Sequence, residues 1–362
     1  MRISKKLLFT LLAVLLLLGA GTVAYAAGAL PFTDIDGHWA QNSIVKLAGQ
    51  GIVEGHADGT FGPDEFVTRA QVVTFLDRLE TNNNCTQCHN DTTLLTGKEA
   101  EWAHSVHGTG EVYWEEAGRP TCAGCHDGGG FSAMIAAGDK PSDSHVVADP
   151  TPADCRACHA IHTTYTSADW ALETTAPVAL YALAGNTFDG GAGNLCANCH
   201  QPRTAFPAAV DGMVTVAARF GPHHGPEAAL LLGVGGADVT GTPMFHYTAV
   251  ADTCVTCHMG AGANHSFDPN VAACTTCHAG AEDFDIGGTQ TEVQRMLDEL
   301  KAALIAKGLL DADGAAVAGT YPEAQAAALW NWTYITEDKS LGVHNPAYSK
   351  ALLQAGLDAL AN

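Results

Sequence analysis

The chain has 362 residues, with 39 Asp and Glu against 17 Lys and Arg and a formal charge of −22. So acidic a surface excludes nucleic acid and anionic membrane as electrostatic partners, and suits solubility, cationic partners or metal ions. Twelve cysteines and 17 histidines stand out in the composition.

Residues 1–26 read as a signal peptide. Arg2, Lys5 and Lys6 make a basic start, Leu7 to Leu18 is apolar, and Ala24-Tyr25-Ala26 offers a small-residue cleavage site. The run is short of the ~20 residues a spanning helix needs. The mature protein is therefore expected to be exported, with no membrane span after cleavage. Loss of the leader takes the formal charge from −22 to −25.

Residues 28–80 form a candidate module of two helices around a loop. Ile44, Leu47 and Ala48 fit one helix after Asp36, a candidate N-cap. Val72, Leu76 and Leu79 fit a second, opened by the capping box Thr68-Arg69-Ala70-Gln71. The glycine- and aspartate-rich stretch from Gly51 to Pro63 is a loop. Phe32-Thr33-Asp34-Ile35, His38-Trp39-Ala40, Gly51-Ile52-Val53-Glu54-Gly55, Asp58-Gly59-Thr60-Phe61 and Thr68-Arg69-Ala70-Gln71 together resemble an S-layer homology domain. The resemblance implies attachment to an anionic, pyruvylated cell-wall polysaccharide, with Trp39 and Arg69 touching the polymer and Asp34 shaping the site. A cation beside an indole suits a carboxylated sugar. A purely structural Trp39, packed in the core, is the competing expectation. The family usually has three such modules in tandem, whereas this chain has one.

Thr81-Asn82-Asn83-Asn84 reads as a linker, residues 81–84. Beyond it every cysteine falls into one of six Cys-x-x-Cys-His motifs: Cys85-Cys88-His89, Cys122-Cys125-His126, Cys155-Cys158-His159, Cys196-Cys199-His200, Cys254-Cys257-His258 and Cys274-Cys277-His278. Chance would give about 0.02 copies in a chain of this composition. The spacing is that of c-type haem attachment. Two thiols one turn apart add to the two vinyl groups of a porphyrin, and the next imidazole reaches the iron. Zinc would not need a histidine fused to each pair, and disulfides between such close pairs would close no useful loop. Residues 85–280 are thus expected to hold six haem c groups, with iron as the bound metal. At about 32 residues per site, protein alone cannot wrap each porphyrin. The expected fold is mainly α with much irregular loop, the haems stacking as the core.

Residues 281–362 carry no cysteine. Thr291–Lys307 is predicted helical, with Val293, Met296, Leu297, Leu300 and Leu304 on one face. Pro322–Tyr334 and Pro346–Leu360 are predicted helical too, each with proline at its start. The run from Leu329-Trp330-Asn331 through Glu337-Asp338-Lys339-Ser340 to Gly342-Val343-His344-Asn345-Pro346 resembles the C-terminal region of multihaem cytochromes related to ammonia-forming nitrite reductase. That resemblance implies His344 as a haem ligand.

Whether the second axial position of each iron is filled separates electron carriers from catalysts. Eleven histidines lie outside the motifs. His38 and His56 belong to the N-terminal module. His104, His107, His145, His162, His223, His224, His246, His265 and His344 remain. The favoured distal ligands are His107, His145, His162, His223, His246, His265 and His344, with His107 preferred to His104 and His223 to His224. Met134, Met213, Met244 and Met259 are lesser candidates.

The leading expectation is an electron carrier rather than an enzyme, at the cell wall, S-layer surface or outside the cell. It would use bis-histidine haems and exchange electrons with other cytochromes, extracellular metal oxides or soluble acceptors. A reductase of nitrite or a similar oxyanion is the first alternative; the Cys-x-x-Cys-Lys site of that family is missing. A homopolymer is the second, from similarity in haem number to filament-forming six-haem cytochromes.

Overall fold

The structure is a computed structural model that describes residues 30–49, 51–82, 93–143, 145–260 and 262–361. The signal peptide and the motif Cys85-Cys88-His89 lie outside the described residues. The described residues are mainly helical, with short helices, two small two-stranded sheets and long loops. It divides into two units. One runs to Cys88 and includes Thr164–Ser167; the other holds the remainder.

In the first unit, helix α1 spans Gln41–Gly49 and α2 spans Arg69–Asn82. Asp36 is not the N-cap of α1, because the helix begins five residues later and the side chain of Gln41 folds back to accept from the Gly37 amide at 2.8 Å. The capping box at α2 forms as expected. Gln71 N donates to Thr68 Oγ1 at 3.2 Å and Thr68 N to Gln71 Oε1 at 2.8 Å. Helix α2 continues through Thr81 and Asn82, so half of the expected linker is helical. Ile35, Ile44, Ile52 and Val53 are buried, whereas Val72, Val73 and Leu76 on α2 are exposed. The loop between the helices is pinned by Asp34, which accepts from the amides of Phe61 at 2.7 Å and Gly62 at 2.8 Å.

The second unit begins with α3, Thr93–Ala103, and α4, Gly128–Ala137. Asp127 caps α4 by accepting from Gly129 N at 3.1 Å. Strand β1, Val178–Ala179, pairs with β2, Thr187–Phe188. Strand β3, Met213–Val216, pairs antiparallel across a long sequence gap with β4, Gly319–Pro322. Helix α5, Glu227–Leu232, ends at Gly233, whose positive φ of 74° and contact with the Thr242 backbone leave no room for a side chain. Three helices close the chain: α6, Thr289–Ala306; α7, Glu323–Asp338; α8, Pro346–Ala361.

The segments 85–280 and 281–362 do not behave as separate domains. Val293, Met296, Leu297, Leu300 and Leu304 of α6 are all buried, as the periodicity predicts, in one core with Phe188, Val214, Val216, Phe220 and residues 228–232. Polar ties lock the C-terminal helices to the 230–242 loop. Trp330 Nε1 donates to Gly235 O at 2.9 Å and Tyr334 Oη to Val234 O at 2.7 Å. Asn331 accepts from Ala237 N at 2.8 Å, and Asn345 Nδ2 donates to Leu230 O at 3.0 Å. Buried aromatic and amide groups need such partners. Trp330, Asn331 and Asn345 are therefore fold-holding residues.

Candidate haem sites

Each described motif closes one helix-like turn. The amide of the histidine donates to the carbonyl of the first cysteine: His126 to Cys122 at 3.0 Å, His159 to Cys155 at 2.9 Å, His200 to Cys196 at 2.9 Å and His278 to Cys274 at 2.8 Å. Cys254–His258 is itself a helical turn. Asp154 fixes the start of one such turn by accepting from Arg156 N at 2.9 Å. The ten described cysteines are free thiols.

The rings fall into five pairs, each joining one motif histidine to one distant histidine. Centroid separations are 6.3 Å for His126 and His223, 6.2 Å for His159 and His265, and 6.2 Å for His200 and His107. They are 6.3 Å for His258 and His344, and 6.2 Å for His278 and His246. A metal–imidazole bond of about 2.0 Å, plus about 1.1 Å from nitrogen to ring centre on each side, places two rings about 6.2 Å apart across one metal atom. The separations therefore fit one iron between each pair.

Hydrogen bonds orient several of these rings for binding through Nε2. Nδ1 of His159 bonds Trp170 O at 2.7 Å, that of His258 Phe267 O at 2.9 Å, and that of His265 Ala263 O at 2.7 Å. Two others bond carboxylates: His200 Nδ1 with Glu227 at 3.3 Å, and His344 Nδ1 with Asp338 at 2.6 Å. A ligating imidazole commonly hands its second nitrogen to such a partner, which fixes tautomer and ring direction. Burial pushes His107 down to about 4, and burial with the nearby Arg203 charge does the same for His223. Both rings are thus held neutral, as metal binding requires. Burial also opposes the charge on His344, but Asp338 and Glu227 outweigh it and raise the group to about 9.

The remaining candidates are placed as follows. His145 belongs to none of the five pairs. It is buried, its ring stands against Gly124 inside the 122–126 motif, and its Nε2 lies 3.0 Å from Lys140 O. In this arrangement it packs behind an attachment turn. His162 is exposed with a φ of 61°. His104 Nδ1 bonds Ala100 O at 2.6 Å, and His224 pairs with Glu337, so both serve as neighbours of the paired His107 and His223. In the N-terminal unit Trp39 is 90% exposed, which removes the core reading, and Arg69 is exposed as well. Sequence reasoning missed Asp338 and Glu227. Asp338 lies six residues from His344, within a quoted motif. Glu227 lies 27 residues from His200, with no local pattern to mark it.

The motifs touch one another. Cys199 Sγ lies 4.0 Å from Gly124 O of the second motif, and Cys254 Sγ lies 4.0 Å from Gly193 O, three residues before Cys196. Asn270 N donates to Cys257 O at 3.4 Å, bringing the last motif's approach against the fifth. Phe131, Met134, Ala157 and Leu195 form a small apolar cluster with Cys158 and Cys199 against it. Phe267 contacts His107 at 4.8 Å and His265 at 5.9 Å, linking two ring pairs on their distal sides.

Comparison with known proteins adds the following. Residues 31–73 match the S-layer homology domain, and residues 72–160 match cytochrome c7 and related cytochrome c. The chain is 44% identical over 59 residues to Cell surface glycoprotein 1 of Acetivibrio thermocellus, 16% of this chain and 3% of that protein. It is 41% identical over 76 residues to Outer membrane protein SlpA of Thermus thermophilus, 21% of this chain and 8% of that one. The chain thus spans less than a tenth of these curated relatives. Among solved structures it is similar to the outer cell wall cytochrome OcwA, with a TM-score of 0.49 and 22% identity, over 73% of this chain and 50% of that one.

Proposed function

Starting from a cell-surface chain that joins an S-layer homology domain to a multihaem cytochrome c region, we propose that it relays electrons through six bis-histidine haem c groups to acceptors outside the cell. The observation that carries this reading is the set of five histidine pairs at 6.2–6.3 Å. In each, the motif cysteines would hold the porphyrin by thioether bonds and the two imidazoles would hold the iron. When bound, haem iron supplies reversible one-electron exchange.

The chain's own residues do the rest. The one-turn motifs aim two thiols and one imidazole the same way. Backbone carbonyls, Asp338 and Glu227 set the ring orientations. The touching motifs keep successive sites close enough for transfer between them. Cys85, Cys88 and His89 would hold the sixth haem. At the other end, Trp39 and Arg69, with Asp34 holding the adjacent loop, would engage an anionic wall polymer. The favoured distal histidines and the exposed indole support this reading; the physiological acceptors are inferred from the surface location.

The test is haem quantitation with electron paramagnetic resonance of the oxidised, purified holoprotein. Six low-spin haems per chain are expected. A stoichiometric high-spin signal would mean one iron lacks a second histidine, and a reductase of a small oxyanion would then become the better reading.

A further inference from the structure

Of the five paired rings whose Nδ1 partner is visible, two hydrogen-bond a carboxylate and three a carbonyl, although Glu101 lies 4.0 Å from Nδ1 of His265. His159, His258 and His265 share Nδ1 with neutral backbone carbonyls. His344 and His200 share it with carboxylates. The Asp338 side chain is 0% exposed, and His344 itself is 20% exposed. The second oxygen of Asp338 accepts from Ser340, through its amide at 3.2 Å and its hydroxyl. The Ser340 hydroxyl in turn accepts from His344 N at 3.2 Å, and Ser340 O receives Gln290 Nε2 at 3.1 Å. The carboxylate is thus held rigidly by α7 and the turn that follows. Glu227, the first residue of α5, holds His200, with its side chain 22% exposed. The two carboxylates serve neighbouring sites, because Cys254 Sγ lies 4.0 Å from Gly193 O, just before the Cys196 motif.

A buried anion on the far nitrogen of an axial imidazole makes that ligand a stronger donor. It also favours the ferric state over the ferrous state, since reduction removes one positive charge from iron in a low-dielectric setting. We propose that Asp338 and Glu227 set the potentials of two adjacent haems. Acting through His344 and His200, they make the sites at Cys254–His258 and Cys196–His200 the low-potential centre of the chain. Both are positioning residues, since neither touches iron. The His159–His265 site, whose two rings both bond carbonyls, fills with electrons before the central pair. The inference rests on the bis-histidine reading above.

The experiment is a potentiometric titration of the full-length holoprotein, followed optically and by electron paramagnetic resonance, on wild type, Asp338→Asn and Glu227→Gln. Each amide variant is expected to keep its haems low-spin and to ease reduction of one component about tenfold, equal to about 59 mV for one electron. The two variants should move different components. The rings of His258 and His344 lie 36° apart and those of His107 and His200 lie 85° apart, so the two low-spin signals differ. Unchanged midpoints in low-spin variants overturn the proposal. A high-spin signal in Asp338→Asn overturns it for Asp338, which would then only prop His344 in place; Glu227→Gln decides the second site separately. Missing haem or high-spin iron in wild type would instead sink the bis-histidine reading itself.

Discussion

An imidazole can present Nε2 to a metal in a fixed direction only when something holds Nδ1, and for five of the paired rings that something is visible. His344→Ala removes one whole partner while leaving the attachment turn at Cys254–His258 intact. We expect one haem per chain to turn high-spin and bind an added small ligand such as cyanide; a spectrum still wholly low-spin would show that another residue holds that iron. The ring planes make a second prediction. Parallel imidazole planes split the iron orbitals strongly, and crossed planes leave them nearly equal in energy. Three pairs cross at 82–89° and two at 28° and 36°. Two families of low-spin signal, three haems to two among these five, are expected in the resonance spectrum. A single family would contradict the ring orientations. At this scale the motif histidines were legible at once, because covalent chemistry fixes their spacing. The distal partner of each was not, because His223 and His126 lie 97 positions apart in the chain.

The helices of the C-terminal segment behave as structural girders for the sites. Helix α7 buries Trp330 and Tyr334 and delivers Asp338 at its end. The indole of Trp330 lies between Phe206 at 5.7 Å and Phe220 at 5.5 Å. Trp330→Ala should cost about 3–5 kcal/mol by removing this packing and opening a cavity. It would be read as a lower denaturant midpoint, with loss of His344 ligation following the same curve. Helix α6 starts beside Asp285, which accepts from Gln290 N at 2.6 Å, Thr291 N at 3.1 Å and the Thr291 hydroxyl at 2.5 Å. Those bonds, the Thr291 hydroxyl foremost, hold its carboxyl below the ordinary 3.8. Its stabilising effect is therefore full above about pH 3.8 and is lost as pH falls through the depressed folded value. Asp285→Asn should flatten the acid limb of a stability–pH curve below pH 4 and leave its slope near neutrality unchanged. The apolar stripe of α6 was legible because helical period and burial coincide. Asp36 was misread as a cap because a good capping residue does not say where the helix that uses it begins.

Over the whole molecule, one unit carries most of the S-layer homology match and the other carries the five ring pairs. Arg69→Ala in the full chain is expected to weaken binding to purified wall polysaccharide about tenfold or more, since a hydrogen bond to a charged group contributes about 1.5–3 kcal/mol. Its haem spectrum should stay the same. Retention on the wall at wild-type affinity would remove Arg69 from the contact. The sequence by itself carried the six attachment motifs, the expected export signal and the S-layer homology pattern. Each rests on residues close together in the chain: two thiols and an imidazole in five positions, an apolar run behind basic residues, a loop held by one aspartate. Tertiary structure alone decided which histidines face each other, that His145 packs behind an attachment turn, and that Glu227 and Asp338 stand behind His200 and His344. Apart from Asp338 and His344, those relations join residues from about twenty to more than a hundred positions apart. They exist only once α5, α7 and the attachment turns have packed, because an imidazole's partner across an iron is set by distance in space and not by distance along the chain.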